Sequence, residues 1–230
     1  MQQHNKIFLV EDDEKICQIL HDELEKWAYD VAVVSDFQKV LAEFQEFQPD
    51  LVLLDISLPY FNGYHWCQEI RKVSTVPILF LSSANDKMNQ LMAMNMGGDD
   101  FIGKPVDLDL LVAKLQAVFR RNYTFIENDQ ELVYQEAVLN VLEGELRLGE
   151  KRVNLTPTET KIVALLFANA EKTVTKEAIM EKLWESEEFI SKNTLTVNMT
   201  RLRKKLNANG FPTLIHTIKG MGYMLVKKDA

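Results

Sequence analysis

The chain has 230 residues, 47% of them hydrophobic and 26% charged. That composition excludes a wholly disordered protein, and the length predicts one to two domains. The longest apolar stretches, Leu51 to Leu54 and Val76 to Leu81, are far too short to cross a bilayer. The amino terminus carries no apolar leader, and Cys17 and Cys67 make neither a disulfide framework nor a zinc cluster. A reduced, cytoplasmic protein with no membrane partner is expected.

The net charge of −8 is unevenly spread. Residues 1–121 carry 11 Lys/Arg against 19 Asp/Glu, and residues 122–191 carry 7 against 14. Residues 192–230 reverse the balance, with 8 against 1. A basic end on an acidic chain is either a solvated face or a phosphate-binding surface.

In chain order, Lys6 to Val10 reads as a strand that stops at acids. Ile16, Ile19, Leu20, Leu24 and Trp27 recur at helical spacing. Val31 to Val34 is a second strand, Val40 to Phe47 a second helix stopped by Pro49, and Leu51 to Leu54 a third strand entering Asp55. A helix follows Asn62-Gly63. Pro77 to Leu81 is strand four, Leu91 to Met96 a helix ended by Gly97-Gly98, and Phe101-Ile102 a short strand five. Leu108 to Val118 is the fifth helix. Strands apolar at every position are buried on both faces, which predicts a parallel sheet covered by helices. Right-handed crossovers place all strand ends on one edge, where ligands of such sheets bind.

Residues 1–121 are assigned to this α/β domain, 122–129 to a linker and 130–230 to a second, α+β domain. There, Ala137 to Leu142, Glu145 to Leu148 and Arg152 to Leu155 read as an antiparallel meander. Three helices and a hairpin turning at Lys219 to Gly222 complete it.

The strand edge gathers chemistry. Strand one ends at Glu11-Asp12, strand three at Asp55 and strand four at Ser82-Ser83, and Lys104 follows strand five. Clustered carboxylates repel unless a cation sits among them, and a hard oxygen site with room for water suits Mg²⁺ or Mn²⁺. A lysine and a hydroxyl beside them suit a phosphoryl group. The set predicts phosphoryl transfer onto Asp55. Asp13 reads only as a helix cap.

In the second domain, Leu195, Met199, Leu202 and Leu206 form one apolar stripe of a helix near 193–207. Thr196, Thr200 and Arg203 share another face, flanked by Arg201, Lys204 and Lys205. That pattern suits a helix docked in the major groove of DNA, and a solvated amphipathic helix is the alternative.

Val10-Glu11-Asp12-Asp13, Leu53 to Pro59 with Asn62-Gly63, Pro77 to Ser82, and Gly97 to Pro105 resemble the receiver domain of bacterial two-component response regulators. Leu155 to Glu159, Leu183-Trp184, Thr194 to Leu206 and His216 to Tyr223 resemble the winged-helix effector of the OmpR/PhoB class. The resemblance implies a flavodoxin-like receiver of five parallel strands followed by a winged helix. It implies that Asp55 is the phosphoacceptor for a sensor histidine kinase, and that Glu11, Asp12, Asp55 and the Ser57 backbone carbonyl hold the metal. Lys104 would contact the phosphoryl group, Ser82 and Phe101 would switch, and the Lys104–Pro105 bond would be cis. Arg201, Arg203, Lys204 and Lys219 would contact DNA, with Thr196 and Thr200 on the same surface. A phosphorylation-driven homodimer on a two-half-site operator, using Lys87, Asp99, Leu110 and Lys114, is also implied, as is RNA polymerase as a partner near Glu185 to Ser191.

The chain departs from the family pattern at Thr200 and Lys219, where Arg is common. It also departs at Val106, where Phe is usual, and at Leu110 and Gln116, where charged residues are usual. The stretch Leu58 to Cys67 is similar to regulators paired with sensors of cell-envelope antimicrobial peptides. Two rival readings are a regulator whose receiver is vestigial and an aspartyl-phosphate hydrolase. The hydrolase commonly needs a second Asp where Ser57 stands.

Overall fold

The computed structural model describes residues 5–83, 92–124, 131–183, 192–212 and 214–226. They fall into two compact units, 1–119 and 120–230.

The first unit runs β1 (Lys6–Val10), α1 (Glu14–Lys26), β2 (Asp30–Val33), α2 (Val40–Phe47), β3 (Leu51–Asp55), α3 (Gly63–Val73) and β4 (Ile78–Ser83). A helical segment at 92–95, here α4, precedes β5 (Asp100–Lys104) and α5 (Leu108–Thr124). The sheet order is β2-β1-β3-β4-β5, and every pair is parallel, which is the flavodoxin-like order.

Alternate residues of each strand serve the two faces. Ile7, Leu9, Leu51, Leu53, Leu79, Leu81 and Ile102 pack with Leu20 and Leu24 of α1 and Leu111, Leu115 and Phe119 of α5. The opposite residues meet α2 and α3, with Phe8 against Phe44 at 6.4 Å and Phe80 against Tyr64 at 5.8 Å between ring centroids. Because both faces are covered, Leu51 to Leu54 are wholly buried, and the only polar group β3 carries is at its end.

Local signals place the helix starts. The Asp13 carboxylate accepts from the Lys15 and Ile16 N–H groups and caps α1. Asn62 caps α3 by accepting from His65 N–H. A Cβ on Gly63 would lie 2.1 Å from the Asp55 carbonyl oxygen, so only glycine lets α3 start this close to the end of β3.

The second unit opens with an antiparallel sheet of β6 (Glu131–Tyr134), β7 (Ala137–Asn140), β8 (Glu145–Leu148) and β9 (Lys151–Asn154). It continues through α6 (Pro157–Ala168), β10 (Val174–Thr175), α7 (Lys176–Leu183), α8 (Lys192–Ala208), β11 (Ile215–Ile218) and β12 (Gly222–Leu225). The three short strands pair in the order β10-β12-β11. Leu195, Met199, Leu202 and Leu206 bury the predicted stripe of α8 against α6, α7 and the hairpin.

Several boundaries differ from those read in the sequence. Helix α5 runs on to Thr124, past the expected start of the linker at 122. Strands β4 and β5 extend to Ser83 and Lys104, because ladder pairing continues into polar residues that hydropathy alone ends. Strand β6 gives only a weak signal: Tyr134 is buried, Leu132 packs half-buried against the core, and Val133 is 65% exposed. The two residues of β10 are a strand only through pairing with β12. Gly222, expected in the turn, is the first residue of β12, and a Cβ there would sit 1.9 Å from the Val174 carbonyl oxygen.

Thr156, Pro157 and Glu159 form the expected capping box at the start of α6. Glu159 has a further role. It is 1% exposed, and its carboxylate also takes Lys205 Nζ at 2.7 Å and Arg201 Nε at 3.6 Å, both from α8. Burial raises its pKa, but the charges of Arg201 and Lys205 outweigh that and hold it below the ordinary 4.5. A carboxyl with a depressed folded value adds stability in full above its unfolded value and loses it as pH falls through the folded one. Thermal melts from pH 7 down to pH 3 should therefore show the second unit of the parent losing stability steeply below about pH 4.5. Glu159→Gln should be less stable at neutral pH and lose less on acidification; parallel losses in the two proteins would contradict the assignment.

Candidate phosphoacceptor and nucleic-acid sites

The C-terminal ends of the parallel strands bring Glu11, Asp12, Asp55, Ser82 and Lys104 to one edge of the sheet. Glu11 follows β1, Asp55 ends β3, and register places Asp55 opposite Leu81, so Ser82 is the next residue along β4. Ser82 in turn pairs with Gly103, and Lys104 ends β5. Glu11 and Asp55 are 2% and 3% exposed, Ser82 is buried, and Asp12 faces solvent.

Lys104 Nζ lies 2.7 Å from Glu11 Oε2 and 2.9 Å from Asp55 Oδ1, and donates a hydrogen bond to Glu11 Oε1 at 3.0 Å. The second oxygen of Asp55 accepts from Ser57 N–H at 3.1 Å. Burial pushes both acids above their ordinary pKa values, with the Lys104 contacts working against it and their mutual repulsion adding to the rise at Glu11. Burial alone would lower Lys104, but hydrogen bonds and charge from both acids outweigh it and raise its value. The lysine is thus the fixed cation of the pocket.

One oxygen each from Glu11, Asp12 and Asp55 lies within 4.8 Å of the others. Glu11 Oε2 is buried and, despite its short approach to Lys104, has no partner with hydrogen-bond geometry. Three carboxylates against one ammonium leave the cluster anionic. Hard oxygen donors, one of them open to solvent, fit a divalent cation that keeps part of its water. Cys17, beside the cluster, has its thiol pushed up to about 11 by burial and then by Glu11, Asp13 and Asp12, so it is protonated at neutral pH and no nucleophile.

The switch positions sit on adjoining strands. Phe101 is half-buried on β5 opposite Phe80, one strand from the pocket, and the Lys104–Pro105 bond is cis. Asp99, expected on a dimer surface, is 5% exposed inside the unit. It accepts from Ile78 N–H at 3.1 Å and pairs with Arg71 Nη2 at 2.6 Å. Arg71 also donates to the carbonyls of Gly97 and Val76, tying the end of α3 to the turn before β5. The neighbouring Asp100 takes Lys114 of α5 at 2.5 Å in a second, largely buried pair. Leu110 is half-buried, and Lys87 lies outside the described residues. Sequence reasoning missed Arg71, and the Asp99-Asp100 doublet does not reveal which acid pairs with it.

On α8 the exposed row is Thr196, Thr200 and Lys204, each four residues on from the last. The Thr200 hydroxyl donates to the Thr196 carbonyl at 2.8 Å. Lys219 is exposed in the β11–β12 turn, where Gly220 has φ +77°. Arg203 donates to the Ile215 carbonyl and the Thr217 hydroxyl, both at 2.9 Å, and lies over the Tyr223 ring. It joins α8 to the hairpin. Arg201 was expected on the DNA face, but the buried charge of Glu159 draws its side chain inward and leaves it 16% exposed. Glu185 to Ser191, expected near RNA polymerase, lie outside the described residues.

Comparisons with known proteins match both units to known families. Residues 7–116 match the family model "Response regulator receiver domain", and residues 149–225 match "Transcriptional regulatory protein, C terminal". The response regulator protein GraR of Staphylococcus aureus is 44% identical over 220 residues, covering 95% of this chain and 98% of that protein. Among solved structures, a mutant of RitR aligns over 97% of this chain and 100% of its own with TM-score 0.79 and 26% identity. DrrB, described as a Thermotoga maritima OmpR/PhoB homologue, aligns over 98% and 100% with TM-score 0.51 and 26% identity. Among the described residues, no helix is long and apolar enough to cross a membrane.

If the three carboxylates take a divalent cation, folded-state binding adds stability by mass action, about 2.7 kcal/mol at one hundred times Kd. Mg²⁺ should raise the melting temperature of the first unit. Asp55→Asn should melt higher than the parent without metal, since one of the repelling acids is gone, and should gain less than half as much from Mg²⁺. An equal Mg²⁺ gain in both proteins would remove Asp55 from the ligand set.

Proposed function

The chain belongs to the OmpR/PhoB class of two-component response regulators, phosphorylation-dependent transcription regulators, and on that premise we propose that Asp55 is its phosphoacceptor. The observation that carries the proposal is the convergence of Glu11, Asp12 and Asp55 within 4.8 Å on a strand edge, with Lys104 bridging two of them.

The donor is a phosphohistidine on a sensor kinase. An Asp55 carboxylate oxygen attacks phosphorus, the new O–P bond forms as the P–N bond of phosphohistidine breaks, and the imidazole leaves with the electron pair. Lys104 Nζ, already 2.9 Å from Asp55, offers a fixed positive charge to the incoming phosphoryl oxygens. Ser57 N–H orients the second Asp55 oxygen. Glu11, Asp12, Asp55 and the Ser57 carbonyl would hold Mg²⁺ (or Mn²⁺), which would supply neutralising charge for the phosphoryl group.

The aspartyl phosphate recruits the Ser82 hydroxyl, and Phe101 follows on β5. That shift favours a homodimer through the surface around α4, β5 and α5, with Leu110 and Lys114 of α5 among its residues; Asp99, buried against Arg71, is not a surface acid there. Dimerisation raises the effective concentration of paired effector domains on an operator with two half-sites. There the α8 row of Thr196, Thr200 and Lys204 enters the major groove, Lys219 reaches the adjoining backbone, and Arg203 fixes the angle between the two elements. RNA polymerase is the onward partner. The resemblance of the Leu58 to Cys67 stretch supports a place among regulators paired with sensors of cell-envelope antimicrobial peptides. All the acids, Ser82 and Lys104 are in position, which favours this reading over a vestigial receiver, and Ser57 in place of a second acid disfavours a hydrolase.

Intact mass after incubation with acetyl phosphate and Mg²⁺ tests the first step. The parent should gain one phosphoryl group and Asp55→Ala none. An equal gain in both would place the acceptor elsewhere.

A further inference from the structure

The basic end of the chain offers DNA less charge than its sequence suggests. Of the cations on α8, two are spent inside the protein. Arg201 and Lys205, four residues apart on one face, both turn to Glu159, at 3.6 Å and 2.7 Å. Their side chains are 16% and 28% exposed, against 2% for the acid. The same carboxylate accepts from Thr156 N–H at 2.9 Å, so its position is set by the capping box of α6. Lys204, between the two tethered cations in sequence, points out beside Thr200.

A carboxylate fixed at the start of α6 therefore governs both the rotation of α8 about its axis and the number of cations free for phosphates. Sequence-independent affinity scales with the phosphates neutralised, whereas base reading depends on orientation. We propose that Glu159 is a specificity-determining positioning residue for operator recognition. It withholds Arg201 and Lys205 from the DNA backbone and turns the Thr196–Thr200–Lys204 row toward the bases. This rests on the reading that α8 enters the groove.

The full chain is measured against two duplexes across a salt series. One is selected from random DNA by the parent, and the other is its scrambled counterpart. Glu159→Gln keeps an acceptor for the Thr156 N–H but frees both cations. It should bind the scrambled duplex more tightly, steepen the slope of log K against log salt by about 0.9 to 1.8, and lower the selected-to-scrambled ratio by roughly fivefold or more. Lys205→Gln, which leaves the Glu159–Arg201 pair, should keep the parent's slope. Lys204→Ala should lose about 0.9 of it. Weaker binding of Glu159→Gln to both duplexes in step with a lower melting temperature, at unchanged slope, would reduce Glu159 to a helix cap and overturn the proposal. So would a loss of slope in Lys205→Gln. If Lys204→Ala leaves the slope intact, α8 does not face DNA, and the underlying reading fails with it.

Discussion

The receiver is organised around one ammonium group between two buried carboxylates. Lys104 reaches Glu11 and Asp55 from the far edge of the sheet, so a single ion cluster joins the ends of β1, β3 and β5. Two acids this deeply buried repel and resist ionisation, and one lysine offsets only part of that cost. Three carboxylates against one ammonium leave a surplus of negative charge, which fits a divalent cation. Glu11, Asp55 and Lys104 are thus one electrostatic unit. Gly63 lets α3 start against the Asp55 carbonyl, and so gives the acceptor a rigid back wall.

The same physics recurs in the effector, where one buried carboxylate and two cations fix α8. Burial makes each group dependent on its partners: removing one leaves the others charged in a poorly solvated place. Arg71 does comparable work in the receiver, joining the end of α3, the start of β4 and the turn that leads into β5. In each case a long cationic side chain spans elements that the backbone connects only distantly.

Much of the site was legible in the sequence because the strands are apolar throughout and then stop at acids. A polar residue ending a fully buried strand can only emerge at the sheet edge, so Asp55, Ser82 and Lys104 were placed by topology. The α8 stripe was legible from its spacing, and the Asp13 cap and the Thr156 box from local chemistry. The partnerships of Arg71 and of Glu159 were hidden, since each spans tens of residues and pairing distance has no sequence period. Asp99 and Asp100 look alike in the chain, and only the fold gives one to Arg71 of α3 and the other to Lys114 of α5. Strands β6 and β10 were missed because one buries a single side chain and the other exists through its neighbour.

In this account, charge balance at Asp55 is converted into DNA occupancy by way of Ser82, Phe101 and the assembly of paired effectors. The most direct measurement is the affinity of the full chain for a duplex selected by the phosphorylated parent, taken with and without phosphodonor and Mg²⁺, for the parent and for Asp55→Ala. Phosphodonor should tighten binding by the parent tenfold or more, about 1.4 kcal/mol, and leave the variant unmoved. Equal tightening in both proteins, or none in a parent shown by mass to be phosphorylated, would contradict it.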